Sequence, residues 1–373
     1  MTRPIVLTGG GTGGHVFPLR AIADALVAAG VPKDALVIVG SRRGQEGALL
    51  ADLGVELVLL PGRGLRRSVA PRALLQNLGA AGGLAFALVR GIGLAARRRP
   101  RAVVSVGGYA SFAAAAGAVV VGRPLVLVAL DASPGLVHRS LARFAVAITS
   151  PFPAEPGSRS VVTGVPLRDE ILAVTRSPEQ RKAARDRLGL DADRPVVAVM
   201  SGSIGAASIN NAVCELAARW RARPAATLYH VTGRRDLEAV EAAKRAAGVD
   251  DAQWRVVGFE ASMPDVWAAC DLAVCRAGAT TVSELCATGV PSVLVALPGA
   301  PGDHQGANAT VLERAGAAVV LEDAALSGDV LDDTLTSLLS DDARRSRMAT
   351  AARSLSRPDA ARRVASVVLS RAR

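Results

Sequence analysis

The stretch that decides the fold is Ile5-Val6-Leu7-Thr8-Gly9-Gly10-Gly11-Thr12-Gly13-Gly14-His15, followed by Val16-Phe17-Pro18 and an Ala/Leu-rich run. The short β-branched run reads as a first strand, not a signal peptide, and the run from Pro18 as a helix. Glycines between them let backbone approach a ligand closely, and a helix N-terminus favours anionic groups. Gly9, Gly11 and Gly14 satisfy G-x-G-x-x-G, but a dinucleotide fold also wants an acidic residue at the end of the second strand. The chain has Gly40-Ser41-Arg42-Arg43 there. An arginine pair would suit a 2′-phosphate, so an NADP-dependent oxidoreductase stays open at this point.

The junction recurs. Val103–Val106 runs into Gly107-Gly108-Tyr109-Ala110-Ser111, and Val196–Met200 into Ser201-Gly202-Ser203-Ile204-Gly205-Ala206. Apolar strand candidates alternate with helical stretches in two series. The first is 5–7, 36–39, 57–60, 103–106, 125–128, 146–149 and 161–163; the second is 196–200, 228–231, 256–257, 272–274, 292–296 and 318–321. Continuous apolar strands separated by helices imply parallel sheets covered on both faces. The expectation is an α/β chain of two doubly wound, Rossmann-like domains facing across a cleft, with ligands at the carboxyl ends of the strands. A length of 373 residues suits two domains. The Pro/Gly-rich stretch 151–157 and a hinge near Gly164–Arg168 divide them into 1–163 and 164–355, with the terminal helix 356–373 packing back on the first.

The net charge of +11 lies in one half. Residues 1–150 hold 17 basic and 6 acidic side chains, and residues 151–373 hold 27 of each. The first half therefore expects an anionic partner: nucleic acid, a phosphorylated ligand or an acidic membrane surface. Aromatics at 3% argue against base stacking, which makes nucleic acid the weakest of these. Arg63, Arg66, Arg67 and Arg72 precede the apolar stretch Ala73–Ala96, and Arg97, Arg98, Arg99 and Arg101 follow it. Five glycines and Arg90 inside the stretch speak against a membrane span. It reads as a helix or helical pair with an apolar patch lying on an anionic leaflet, or as a buried crossover with solvated flanks. Cys214, Cys270, Cys275 and Cys286 form no C-x-x-C pair and read as small core residues in a reducing compartment. His138 and His230 read as surface or core histidines, and Asp265 and Asp271 as caps.

A fourth segment, Cys275-Arg276-Ala277-Gly278-Ala279-Thr280-Thr281-Val282-Ser283-Glu284, continues to Asp303-His304-Gln305-Gly306-Ala307-Asn308-Ala309. Glu284 within a helix suits a ribose diol, and the amides of Gln305 and Asn308 suit sugar hydroxyls. With the Thr8–His15 loop and the glycine loops at 107 and 202, these motifs resemble the MurG family over nearly the whole chain. These are GT-B transferases that move N-acetylglucosamine from its UDP donor to undecaprenyl-pyrophosphoryl-muramoyl-pentapeptide.

The resemblance implies roles. Donor contacts fall on Thr12, Gly13, Gly14, Arg168, Ser203, Gly205, Phe259, Glu260, Met263, Ala279, Thr280, Glu284, Gln305 and Asn308, and acceptor contacts on Gly11, Tyr109 and Ser111. His15 is the first candidate for the base, with Asp131 as an alternative or as its orienting group. An inverting displacement would use helix N-termini and Arg168 to stabilise the leaving diphosphate and require no metal or cofactor. The enzyme would work at the cytoplasmic face of the bacterial plasma membrane, peripherally attached. Where the family carries His-Glu-x-Asn, this chain has Val128-Ala129-Leu130-Asp131. That departure keeps open a UDP-sugar transferase with another acceptor, or a donor-binding paralogue without activity.

Overall fold

The computed structural model describes residues 3–11, 13–42, 44–61, 71–153, 160–202 and 205–372, with side chains except at 71–81 and 301. The chain divides into two compact units: Met1–Arg168 with Arg357–Arg373, and Asp169–Ser356. Each is a doubly wound parallel sheet.

The first unit holds β1 (Ile5–Thr8), β2 (Leu36–Ser41), β3 (Glu56–Leu60), β4 (Ala102–Ser105), β5 (Leu125–Val128), β6 (Ala147–Ser150) and β7 (Ser160–Val162), with α1 (Gly13–Ala28), α2 (Glu46–Leu49), α3 (Pro71–Arg98), α4 (Phe112–Val120) and α5 (Leu136–Leu141). Its strand order is β3-β2-β1-β4-β5-β6-β7. The second holds β8 (Val196–Met200), β9 (Thr227–Val231), β10 (Trp254–Val257), β11 (Leu272–Arg276), β12 (Ser292–Val295) and β13 (Ala318–Leu321). Its helices are α6 (Asp169–Leu172), α7 (Pro178–Leu188), α8 (Ala207–Trp220), α9 (Leu237–Ala247), α10 (Met263–Ala269), α11 (Ala279–Thr288), α12 (His304–Arg314), α13 (Gly328–Leu339) and α14 (Asp342–Leu355). Its order is β10-β9-β8-β11-β12-β13. A last helix, α15 (Ala360–Arg371), packs against α1 in the first unit.

Every strand read from the sequence forms within two residues of its expected ends. The reason is burial: β1, β4, β5 and β12 are buried at every residue, so they carry no polar face for alternation to report. Three readings change. First, α1 starts at Gly13, and Pro18 lies inside it. Proline there forfeits the helix bond to the carbonyl of Gly14, just past the first turn. Second, the last helix begins at Ala360, not at 356, and a separate helix, α14, ends at Leu355. Pro358 disfavours helical backbone at Arg357, so the helix breaks where the chain passes back to the first unit. Third, Gly164–Arg168 belongs to the first unit. A Cβ at Gly164 (φ +86°) would lie 2.4 Å from the Cβ of Arg357, so this segment packs tightly beside the start of the returning chain.

α3 runs as one helix of 28 residues. Its buried line, Ala87, Gly91 and Ala95, faces α4. A Cβ at Gly91 would lie 2.2 Å from the Ala113 carbonyl oxygen, so only glycine permits the helices to come this close. Phe86 and Val89 on α3 are 55% and 66% exposed, beside exposed Arg90. No helix among the described residues is long and apolar enough to cross a membrane. Arg63, Arg66 and Arg67 lie outside the described residues.

In the second unit Asp271 is structural. It pairs with Arg181, accepts from Arg185 Nη2 at 2.9 Å, and accepts the Val196 N–H at 2.8 Å, tying α7 to the start of β8. Cys270, Cys275 and Cys286 are buried, which pushes their thiols up.

Both sheets bury a histidine. His138 on α5 is 6% exposed and His230 on β9 is 0% exposed. Burial holds His138 down to about 4, with the nearby His15 adding to the effect, and holds His230 down to about 3. Unfolded histidine titrates near 6.5, so the unfolded chain binds more protons below that value and stability falls with it. The urea midpoint is therefore expected to be highest above pH 6.5 and to fall steadily towards pH 4.5. His230→Gln is expected to flatten that slope; an unchanged slope would show that His230 titrates normally.

Candidate active site

The first unit gathers its polar groups at the carboxyl ends of β1, β2 and β4. Gly10 and Gly11 adopt φ +132° and +100°, which only glycine holds without strain. A Cβ at Gly108 would lie 2.6 Å from the Gly10 carbonyl oxygen and 3.5 Å from the His15 ring. The loop after β4 is thus pressed on the loop after β1, with His15 against it on the first turn of α1. Tyr109 Oη donates to Ser41 Oγ at 3.3 Å, and its ring covers Gly11. The Arg168 guanidinium stacks 4.2 Å from the centre of the Phe17 ring on α1. The structure thus brings Gly11, Gly13, Gly14, His15, Tyr109 and Arg168 to one end of the sheet.

Other predicted positions have internal duties. Ser111 is 0% exposed and its hydroxyl donates to the Gly108 carbonyl at 2.9 Å, so it shapes the turn that presents Tyr109. Asp131 sits half-buried in the bend after β5, beyond Ala129 and Leu130, which are buried. Thr12 and Ser203 lie outside the described residues. Two groups escaped the sequence reading. Glu46, 0% exposed, accepts the Gly11 N–H at 3.0 Å. His138 lies 3.3 Å from Ser105 Oγ, and one point beside Gly107 is within 3.7 Å of both the His138 and His15 rings. Both reach the loop across more than 30 residues of sequence, a distance no local pattern reports.

The second unit repeats the device. Gly205 (φ +97°) and Gly233 (φ +81°) interlock: a Cβ at Gly233 would lie 2.4 Å from the Gly205 nitrogen. Asn210 on α8 anchors both loops. Its Oδ1 accepts from Ser201 Oγ at 2.5 Å and from His230 Nε2 at 2.9 Å, and its Nδ2 donates to the Thr232 carbonyl and to Asp236 Oδ2. Trp254 Nε1 donates to His230 Nδ1 at 3.4 Å, so the His230 proton sits on Nε2 and points at Asn210. All four amide positions of Asn210 are used, which fixes the entry to α8. Among the described residues no side chain caps α8 or α11, and their preceding residues are Ala206 and Gly278. Backbone N–H groups at such helix starts are suited to an anion.

Glu284 on α11 is 6% exposed, and its Oε2 accepts from Trp267 Nε1 at 2.8 Å, which orients the carboxylate. Ala279 and Thr280 form the first turn of the same helix. Asn308 is 0% exposed and donates to the Ala277 carbonyl at 3.0 Å, so it holds the loop before α11. Gln305 Oε1 accepts the Leu297 N–H at 3.0 Å. Arg276 bonds Ala296, Asp323 and Ser208, joining the ends of β11 and β12 to α8. Phe259 is 47% exposed with Arg234 5.2 Å from its ring centre. Glu260 accepts from Tyr229 Oη at 2.5 Å and from the Ser262 N–H at 2.7 Å, so its side chain is committed. Met263 opens α10.

Comparison with known proteins agrees with this geometry. Residues 5–150 match the glycosyltransferase family 28 N-terminal domain, and residues 196–364 its C-terminal domain. The chain is 41% identical, over all of both chains, to the UDP-N-acetylglucosamine--N-acetylmuramyl-(pentapeptide) pyrophosphoryl-undecaprenol N-acetylglucosamine transferase of Alkalilimnicola ehrlichii. It is 38% identical to the protein of the same name from Nitratidesulfovibrio vulgaris, over 85% of this chain and 82% of that one. Among solved structures, Acinetobacter baumannii MurG superposes with a TM-score of 0.72 at 27% identity, covering 99% of this chain and 100% of that one. The paired parallel sheets, their glycine-built strand ends and this likeness over the full length place the chain in the MurG group of glycosyltransferase family 28, with the GT-B fold.

Proposed function

We propose that this chain transfers N-acetylglucosamine from UDP-N-acetylglucosamine to the 4-hydroxyl of undecaprenyl-pyrophosphoryl-N-acetylmuramoyl-pentapeptide, the step of peptidoglycan synthesis that converts lipid I to lipid II. The observation that carries this is 41% identity to a transferase of that name over all of both chains. The reaction serves cell-wall assembly and, through it, cell shape and division.

The step is a single displacement. His15 takes the proton of the acceptor hydroxyl, whose oxygen forms a bond to the anomeric carbon. The bond from that carbon to the β-phosphate oxygen breaks, and UDP leaves with the electron pair, so the configuration inverts. Glu284, held by Trp267, accepts the ribose hydroxyls, and the backbone near Glu260 and Phe259 meets the uracil. The starts of α8 and α11, with Arg168, balance the charge that develops on the diphosphate. Gly11 and Tyr109 receive the acceptor. Val128 and Ala129, buried where the family carries a histidine and a glutamate, favour one second reading, a different lipid acceptor. Purified protein with labelled UDP-N-acetylglucosamine and the lipid-linked acceptor is expected to yield labelled disaccharide. UDP release without that product would support the second reading. His15→Ala is expected to lower kcat by about 10²- to 10⁴-fold with UDP affinity retained; near wild-type turnover would remove His15 from the base role.

The enzyme works peripherally at the cytoplasmic face of the plasma membrane. Exposed Phe86 and Val89 beside Arg90 support contact with an anionic leaflet. Phe86→Ser with Val89→Ser is expected to weaken sedimentation with anionic vesicles several-fold. Equal binding of the wild type to neutral and anionic vesicles would oppose the electrostatic part.

A further inference from the structure

We infer that Glu46 is a positioning residue for the first glycine loop, and that its role is to accept hydrogen bonds, not to carry charge. The inference rests on the reading that this loop receives the acceptor. Glu46 opens the short helix α2 with 0% of its surface exposed. Its Oε1 accepts two backbone N–H groups, from Gly11 at 3.0 Å and from Ser41 at 3.2 Å. Three glycines make room for it. A Cβ at Gly10 would lie 1.7 Å from Oε1, one at Gly44 1.7 Å from Oε2, and one at Gly40 2.8 Å from Cγ. The second bond closes a circuit, because Ser41 Oγ accepts from Tyr109, whose ring covers Gly11. Gly11 is thereby gripped through its N–H by Glu46 and covered on its α-carbon by Tyr109, two residues before α1 begins at Gly13.

The buried Oε2 has no hydrogen-bond partner among the described residues. A buried carboxylate oxygen left in this state is costly, and its negative charge opposes a diphosphate-bearing ligand. What the site gains must therefore come from Oε1, which sets Gly10 and Gly11 at positive φ and so aims the first turn of α1, His15 included. A glutamine keeps that acceptor at the same reach and removes the charge. An aspartate falls short by one methylene, and an alanine removes the acceptor.

The test compares Glu46→Gln, Glu46→Asp and Glu46→Ala in the full chain, reading KM for the lipid-linked acceptor, kcat, and UDP affinity by calorimetry. The expected order is Gln near wild type, Asp intermediate, and Ala with acceptor KM raised about 10- to 100-fold, the usual cost of a misplaced binding loop. UDP affinity should stay within about twofold in all three. Should Glu46→Ala fail to fold, Gln against Asp still decides the matter. Loss in Gln equal to that in Asp or Ala would overturn the inference, because charge would then be what the site needs. Wild-type kinetics in a folded Ala variant would overturn it as well. A fall in UDP affinity that Gln restores would keep Glu46 as the positioning residue and overturn the acceptor reading of the loop.

Discussion

Both units depend on backbone meeting backbone more closely than any side chain allows. In the first, the loop after β4 presses on the Gly10 carbonyl where a Cβ at Gly108 would stand at 2.6 Å. In the second, Gly233 and Gly205 meet where a Cβ would stand at 2.4 Å. Contacts under 3 Å cannot be relieved by a rotamer change, since the obstructing atoms are main chain. Each contact joins loops from neighbouring strands, so each sheet presents a rigid end. Glycine is costly in conformational entropy, and its concentration at strand ends is reasonable only where that closeness is used.

A rigid end also requires its polar atoms to be satisfied, and here the two units differ. The second unit uses a complete network: Asn210 spends all four of its amide positions on Ser201, His230, Thr232 and Asp236, and Trp254 fixes the His230 tautomer. A saturated buried network has one low-energy arrangement, which holds the loops around it in one conformation. The first unit uses a single buried carboxylate and a tyrosine–serine bond for the corresponding task. One buried oxygen of Glu46 has no hydrogen-bond partner among the described residues. On the proposed reading, the donor side carries the saturated network and the acceptor side the simpler one.

The charge of the chain follows this division of labour. The half proposed to bind the nucleotide is neutral, and there helix starts and a few placed side chains would supply the local positive potential. The excess of 11 lies in the half that carries α3, whose outer face shows Phe86, Val89 and Arg90. On the proposed membrane reading, net charge describes the surface beside the protein more than the ligand it binds.

The sequence by itself determined the fold class and the strand positions. A doubly wound sheet buries its central strands on both faces, so they must be short, apolar and β-branched, and glycines must punctuate their ends. Those are local demands, visible in runs such as Ile5–Thr8 and Val196–Met200. It also determined the family and the candidate residues that follow each strand, since those lie within one motif. Only the tertiary structure decided which side chains hold those motifs in place. Glu46 reaches Gly11 across 35 residues and His138 reaches Ser105 across 33. Asn308 and Ser111, read as ligand contacts, turned out to be buried braces. A hydrogen bond between distant segments depends on strand order and helix packing, and neither composition nor spacing carries that information.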